Sequence, residues 1–163
     1  MTDSIQNNST ESNFQKPQKL VAKIGDLSEG ISEGIMISEV VVDGNNMELQ
    51  ISYSGCQRPV FDLIGSPMIA KSLPPIRSIR LIHNGENGEC EKLMSERLIF
   101  DISVLTYQEQ DGSEIYLQLE GWKEKIKYTY ILTPRGMKEK AAITKKFIIK
   151  KQQEYEKLKS YIT

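Results

Sequence analysis

The most constraining feature of the chain is a series of short apolar blocks between Val21 and Leu132. β-Branched and aromatic residues alternate there with polar ones or form brief clusters, and Gly, Pro, Asn and Asp separate the clusters. A period of two residues predicts half-buried strands and not helices. We assign strands to residues 21–24, 35–42, 47–53, 60–64, 78–83, 97–103, 114–120 and 126–132.

The turn residues between these blocks predict how the strands connect. Asp43-Gly44-Asn45-Asn46 and Asp111-Gly112 each separate two blocks, and these residue types permit tight hairpins. Parallel pairing is not expected, because it needs long crossovers and no helix intervenes. We therefore predict a mainly β fold, an antiparallel β-sandwich or open barrel of about seven or eight short strands with a C-terminal α-helix. The three prolines in residues 66–76 predict an edge or crossing connection there.

The C-terminal segment differs from the rest in both period and charge. Thr133-Pro134 is typical of a helix start, and apolar residues then recur every seven positions, at Ala141, Ile148, Tyr155 and Ile162. Residues 134–163 hold nine of the 21 basic residues but three of the 22 acidic ones, a net charge of +6. The other 133 residues keep 12 basic and 19 acidic residues, a net charge of −7. We expect the helix to dock on the acidic β domain of its own molecule.

Three segments follow from these patterns: a flexible polar lead over residues 1–20, a β domain over 21–133 and a basic amphipathic helix over 134–163. The lead is rich in Ser, Thr, Asn and Gln, and its few apolar residues share no period. Such a composition does not bury enough apolar surface to offset the entropy of ordering the backbone.

The cellular location is predicted from the apolar runs and from the first residues of the chain. No run approaches the roughly 20 apolar residues that cross a bilayer, and no basic region followed by an apolar stretch begins the chain. The sequence as given therefore predicts a cytoplasmic protein. A periplasmic or outer-membrane lipoprotein is the alternative, if a signal and an anchoring Cys were removed.

Candidate chemistry rests on few residues. Cys56, Cys90 and the single histidine, His83, fall short of a zinc ligand set. The two thiols either form a disulfide in an oxidising compartment or remain reduced small apolar residues. No serine elbow motif accompanies His83. The enzymatic alternative is therefore a minor one, in which Cys56 is the nucleophile and His83 the base.

The acidic residues predict neither a carboxylate pair nor a metal site. Asp62 and Asp101 lie singly on separate elements, and alternation points Asp101 away from the core, where it takes a solvated or hydrogen-bonded structural role. Residues 84–89 could line a calcium loop, but they lack the Asp-rich spacing of such loops and predict a turn. The sequence therefore predicts no catalytic residue, no metal and no cofactor.

A set of short segments distinguishes the middle of the chain, residues 35–122. They are Gly55-Cys56, Phe61-Asp62-Leu63, Ser66-Pro67-Met68, Lys71-Ser72-Leu73-Pro74-Pro75, the strand ending at His83, Cys90 and Leu98-Ile99-Phe100-Asp101-Ile102. With these segments the chain resembles small Bacteroidetes envelope proteins of the NigD-like lipoprotein type. This resemblance implies a compact β domain with a Cys pair, often behind a lipoprotein signal, and no established catalytic residues. On that basis we predict that Cys56 and Cys90 lie close enough to bridge. The chain departs from the type by its basic helix and by the missing signal.

Together these observations predict a non-enzymatic binding or interaction domain, associated with a bacterial envelope if the resemblance holds. An unidentified protein is the expected partner. The first alternative is that the basic helix engages an anionic partner, which is an acidic protein, a lipid surface or, least expected, a nucleic acid. The second is a small hydrolase that uses Cys56 and His83. The sequence predicts no oligomeric state.

Overall fold

The computed structural model of the chain describes residues 18–85 and 90–162. A short 3-10 turn, Ser103–Leu105, follows the seventh strand. The nine strands and one helix found within the described residues are β1 (Lys19–Val21), β2 (Lys23–Ile24), β3 (Ile35–Asp43), β4 (Asn46–Ser54), β5 (Phe61–Ala70), β6 (Ile76–His83), β7 (Leu93–Asp101), β8 (Glu114–Leu119), β9 (Ile126–Thr129) and α1 (Pro134–Ser160).

The strands form two sheets whose apolar faces share one core. Sheet A has the order β1-β7-β4-β3, and sheet B has the order β2-β5-β6-β8-β9. Alternation along each strand turns one face inward, which is the arrangement of a β-sandwich. The predicted fold class is therefore confirmed. The fully buried side chains of the core include Met47, Leu49, Ile51, Leu63, Ile79, Phe100, Leu117 and Tyr128.

Strand pairing is mixed, and this differs from the purely antiparallel expectation. The pairs β3–β4, β4–β7, β5–β6 and β8–β9 are antiparallel, whereas β1–β7, β2–β5 and β6–β8 are parallel. Asp43–Asn46 closes the hairpin predicted there. The hairpin predicted at Asp111-Gly112 is wrong, because β7 lies in sheet A and β8 in sheet B. The chain crosses between sheets there, and this crossing lets β8 run parallel to β6 without a helix.

The N-terminal boundary of the β domain also differs from the expected one. Lys19 and Leu20, which the composition assigned to the polar lead, belong to β1, and Leu20 packs against the core. Pairing with β7 supplies the backbone hydrogen bonds of β1, and local composition does not reveal a partner so distant in sequence. Residues 1–17, the rest of the predicted lead, lie outside the described residues.

Strand β5 continues through Pro67 to Ala70, where a connection was expected. The register between β5 and β6 shifts between Gly65 and Ile69, so the bulge leaves Pro67 without a ladder partner. Arg77 of β6 is buried beside this bulge and donates hydrogen bonds to the carbonyl oxygens of Ser66, Leu105 and Thr106. Burial lowers the pKa of Arg77, and each of its three guanidinium nitrogens donates to one of these carbonyls.

Candidate functional site

A disulfide defines one end of the sandwich. The Cα atoms of Cys56 and Cys90 are 5.7 Å apart and the two sulfurs are bonded, which confirms the predicted proximity. The bridge lies just beyond the Ser54↔Leu93 pair at the end of the antiparallel β4–β7 ladder. The Gly55 N–H also donates to the Lys92 carbonyl oxygen at 2.9 Å, so the two chain segments are joined twice.

An open cleft of about 590 Å³ adjoins the bridge. Sheet A contributes the end of β4, and sheet B contributes the start of β5 and the end of β6. The cleft brings together Cys56 and His83, the two residues of the predicted enzymatic alternative. The described residues that line the cleft include Glu33, Tyr53, Ser54, Gln57, Arg58, Pro59, Phe61, His83 and Asn84.

A charged network forms one wall of the cleft. Arg58 Nε donates to Glu96 Oε2 at 2.7 Å, and the Tyr53 hydroxyl donates to Glu96 Oε1 at 2.9 Å. The Arg58 guanidinium lies 5.9 Å from the centre of the Phe61 ring, which contacts Tyr53 edge to face at 5.3 Å. Burial, followed by the hydrogen bond to the Glu96 carboxylate, raises the pKa of Tyr53 to about 12.

His83 is held by bonds to both ring nitrogens. Its Nε2 lies 3.0 Å from the Glu33 carbonyl oxygen, and its Nδ1 accepts the Gly85 N–H at 3.2 Å. This pair of partners selects the neutral tautomer with the proton on Nε2. Next to it, Asn84 Oδ1 accepts the Val60 N–H at 2.8 Å. The imidazole therefore braces the loop before β3 against the end of β6.

Asp62 and Asp101 do not lie in this cleft. Asp62 forms an ion pair with Lys23 at 2.7 Å, and Asp101 forms one with Lys19 at 3.1 Å. Asp101 also accepts the N–H and hydroxyl of Ser103, which matches the hydrogen-bonded role predicted for it. Burial opposes ionisation of Asp101, but the bonds from Ser103 and Lys19 lower its pKa overall.

The described residues contain neither a metal-binding cluster nor a helix that could span a membrane. Among the described residues no group of His, Cys, Asp and Glu is arranged to hold a metal ion. The predicted turn at 84–89 lies partly outside the described residues, because residues 86–89 are not among them. The only helix in the described part of the chain that is long enough to span a bilayer, α1, is too polar to do so.

The opposite end of the molecule carries α1, and here the docking prediction is wrong. Thr133 caps the helix as predicted, with its Oγ1 accepting the Gly136 N–H at 3.2 Å. Every residue of α1 from Met137 onward is exposed, including Ile148 at 57% and Tyr155 at 63%. The helix therefore leaves the β domain, and its apolar face is not covered by the described residues of its own chain.

Asn45 fixes where α1 begins, a role that sequence analysis missed. Its Nδ2 donates to the Ile131 carbonyl oxygen at 2.6 Å, and its Oδ1 accepts the Ile131 N–H and the Tyr128 hydroxyl. Asp111 accepts the Leu132 N–H at 3.0 Å. Asn45 and Asp111 were recognised as turn residues, and a turn signal does not reveal a contact 86 residues away. Arg58 and Glu96 were missed for the same reason.

The comparisons with known proteins concern the fold. No family model matches the chain, and the search of curated proteins finds no match. A NigD-like immunity protein from Bacteroides caccae aligns with 71% of this chain and 60% of its own, with a TM-score of 0.50 and 12% identity. The chain shares the NigD-like fold. This agrees with the resemblance carried by residues 35–122.

Two further solved structures are similar to parts of the chain. A protein of unknown function (DUF1344) from Bacteroides vulgatus is 16% identical, with a TM-score of 0.48 over 74% of this chain and 60% of that one. A protein described as toxin-related, from Parabacteroides distasonis, is 14% identical, with a TM-score of 0.41 over 77% and 66%. The chain thus spans about 60% of the length of the first two of these neighbours.

Proposed function

We propose that the chain is a non-enzymatic protein-binding domain that engages its partner through the cleft at its disulfide end. The supporting observation is that the reactive groups lining the cleft are already used to hold its walls. Cys56 is bonded to Cys90, both ring nitrogens of His83 are engaged, and Arg58 is paired with Glu96. Fixed walls reduce the ordering cost of association and favour recognition over chemistry.

The same groups argue against the hydrolase alternative. A cysteine acts as a nucleophile through its thiolate, and the sulfur of Cys56 is bonded to Cys90. His83, the single histidine of the chain, accepts a backbone N–H with the nitrogen that a general base would need. Ser54 also lines the cleft, but this engaged imidazole is the only one that the sequence offers to activate it.

The disulfide supports an envelope-associated location, which is the second part of the proposal. Disulfides persist in oxidising compartments such as the periplasm and the cell surface, and are rare in the cytosol. Titration of freshly isolated native protein should find no free thiol before reduction and both thiols after it. Two free thiols before reduction would assign the protein to a reducing compartment instead.

The similar fold of a NigD-like immunity protein supports a binding role. Immunity proteins of the colicin nuclease type act by forming very tight complexes with another protein. We propose a role of this kind for the cleft, with a protein as the ligand.

The test compares two tryptophan variants of the full chain. Gln57 is exposed and lines the cleft, so Gln57→Trp should fill its mouth without disturbing the core. Lys123, exposed between β8 and β9 and outside the cleft lining, provides the matched control Lys123→Trp. The immobilised wild type and both variants are exposed to the same Bacteroides envelope extract, and the retained proteins are compared by mass spectrometry.

A protein retained by the wild type and Lys123→Trp, and lost from Gln57→Trp, is the expected result. Its complex with the purified chain should then form at a one-to-one ratio. Equal retention by all three forms would reject the cleft as the binding surface. Hydrolysis of 4-nitrophenyl acetate that appears on mild reduction and disappears in His83→Ala would overturn the non-enzymatic proposal.

A further inference from the structure

The helix α1 exposes an apolar stripe bordered by lysines. Phe147, Ile148, Tyr155 and Leu158 follow the spacing of one helix face, and each is more than half exposed. An open groove of about 600 Å³ at the base of α1 extends this apolar surface toward the β domain. A helix with this pattern normally buries its apolar face against another layer.

The helix does not reach the β domain of its own chain because its start is fixed. Asn45 and Asp111 hold Ile131 and Leu132 by three hydrogen bonds, and Thr133 caps the first turn. Beyond Gly136 the helix contains neither glycine nor proline, so it continues as one rod about 40 Å long. Folding back would break either the anchored segment or the helix itself.

A complementary surface lies on the outer face of sheet A. Strand β3 is the edge of this sheet, and it turns Met36 and Val41 outward with exposures of 70% and 45%. Glu39 and Asp43 are exposed on the same strand, and neither forms an ion pair with another described residue. We call this surface, formed by Met36, Glu39, Val41 and Asp43, the acidic apolar face. It is apolar like the stripe on α1, and its carboxylates are opposite in charge to the lysines that border the stripe.

We propose that α1 of one molecule docks on this acidic apolar face of a second copy, so that two chains exchange their helices in a symmetric dimer. Residues 134–163 carry a net charge of +6 and residues 1–133 a net charge of −7, so the helix of one molecule is attracted to the β domain of the other. A dimer formed by contact between the two helices would bring two segments of charge +6 together, and their repulsion disfavours it. A two-fold axis satisfies both helices at once. This surface is separate from the cleft, and the inference does not depend on the function proposed for the cleft.

Sedimentation equilibrium of the full chain measures the dimer directly. Ile148→Asp should raise the dissociation constant of the dimer by roughly thirtyfold or more, the change expected for a central contact residue. Val41→Lys, on the sheet side of the contact, should raise the dissociation constant by a similar factor. Gln153→Asp adds the same carboxylate to the opposite face of α1 and should change the constant by less than about threefold. The melting temperature of each variant, measured where all are monomeric, should stay close to that of the wild type.

A charge exchange identifies the partner surface. Lys145 and Lys151 each lie three residues from Ile148 on α1, so Lys145→Glu with Lys151→Glu places two carboxylates beside the centre of the stripe and lowers the charge of residues 134–163 from +6 to +2. Glu39→Lys with Asp43→Lys places two lysines on the sheet face. Each double variant alone should be monomeric, because like charges then meet at this contact. An equal mixture should recover the dimer, because the new carboxylates meet the new lysines and the unchanged helix meets the unchanged acidic face.

Several outcomes would overturn the proposal. A wild type that is monomeric at every concentration tested, a mixture that does not associate, or equal weakening by Gln153→Asp and Ile148→Asp would each reject it. Monomeric protein that binds phosphatidylglycerol vesicles, and not phosphatidylcholine vesicles, would assign the stripe to a lipid surface. Retention in the Gln57→Trp experiment is measured separately, so failure of the dimer leaves the proposed function of the cleft intact.

Discussion

The two ends of the sandwich use their polar and apolar groups in opposite ways. At the disulfide end, Tyr53, Arg58, Glu96 and His83 satisfy one another or the backbone within a cross-linked frame. At the helix end, Asn45 and Asp111 bind Ile131 and Leu132 just before α1, and the large apolar side chains farther along the helix are exposed. The walls of the first end are held in place within one molecule, whereas the second end leaves an apolar helix face that the described residues of the chain do not cover.

The largest expected difference between the ends comes from the disulfide. The bridge spans 34 residues, so replacing both cysteines by serine should lower the free energy of unfolding by about 3 to 4 kcal/mol in the chain-entropy model. Urea denaturation of the variant and the wild type, with and without dithiothreitol, measures this loss. The reductant should destabilise the wild type and Ile148→Asp equally and leave the double-serine variant unchanged. Wild-type stability that does not respond to complete reduction would contradict the prediction.

A smaller effect is expected at the base of the helix. Asn45→Ala removes three hydrogen bonds that join Tyr128 of β9 and Ile131, just before α1, to the β3–β4 turn. It should therefore lower the free energy of unfolding by about 1 to 3 kcal/mol. The neighbouring Asn46 is the control, because its buried Oδ1 has no hydrogen-bond partner among the described residues. Asn46→Ala should therefore cost less than Asn45→Ala. Faster amide hydrogen exchange at Ile131 and Leu132 should accompany Asn45→Ala alone, and equal losses from both variants would contradict the anchor.

The smallest expected effect is a pH dependence at the disulfide end. The pKa of Tyr53 is about 12 in the folded protein and its ordinary value is 10.0, so the folded state keeps a proton that the unfolded chain loses. The contribution of the protonated Tyr53 hydroxyl to the free energy of unfolding is fully present below pH 10. It is lost as the pH rises from 10 toward 12. Tyr53→Phe should therefore flatten the alkaline decline in melting temperature.

Glu96→Gln separates the two causes of that pKa. Burial is the larger cause and the Glu96 hydrogen bond the smaller, so Glu96→Gln should keep part of the decline that Tyr53→Phe removes. Melting temperatures measured between about pH 8 and pH 11 distinguish the variants. An unchanged alkaline decline in Tyr53→Phe would show that other groups control it.

Local pattern was sufficient wherever neighbours in sequence are neighbours in space. The β3–β4 hairpin at Asp43–Asn46 and the Thr133 cap of α1 were predicted because a turn or a cap is formed by residues a few positions apart. The family resemblance added the Cys56–Cys90 pairing. Strand periodicity also predicted half-buried strands, since alternation depends on the backbone alone.

Distant pairing was not predictable in the same way. The parallel β6–β8 pair, the crossing at Asp111 and the strand β1 all depend on which sheet a segment joins, and this is decided by packing of the whole core. The contact between Arg58, which lines the cleft, and Glu96 of β7 likewise joins residues 38 positions apart, so no local pattern reveals it.

The sequence by itself determined a mainly β domain of alternating strands, as a sandwich or an open barrel, and a basic amphipathic helix of opposite net charge, because period and charge are local properties of the chain. Only the tertiary structure decided where that helix goes. Charge and amphipathicity predicted docking on the same molecule, but they specify no direction. The bonds from Asn45 and Asp111 fix the direction of the first turn, and a continuous helix cannot bend back from it.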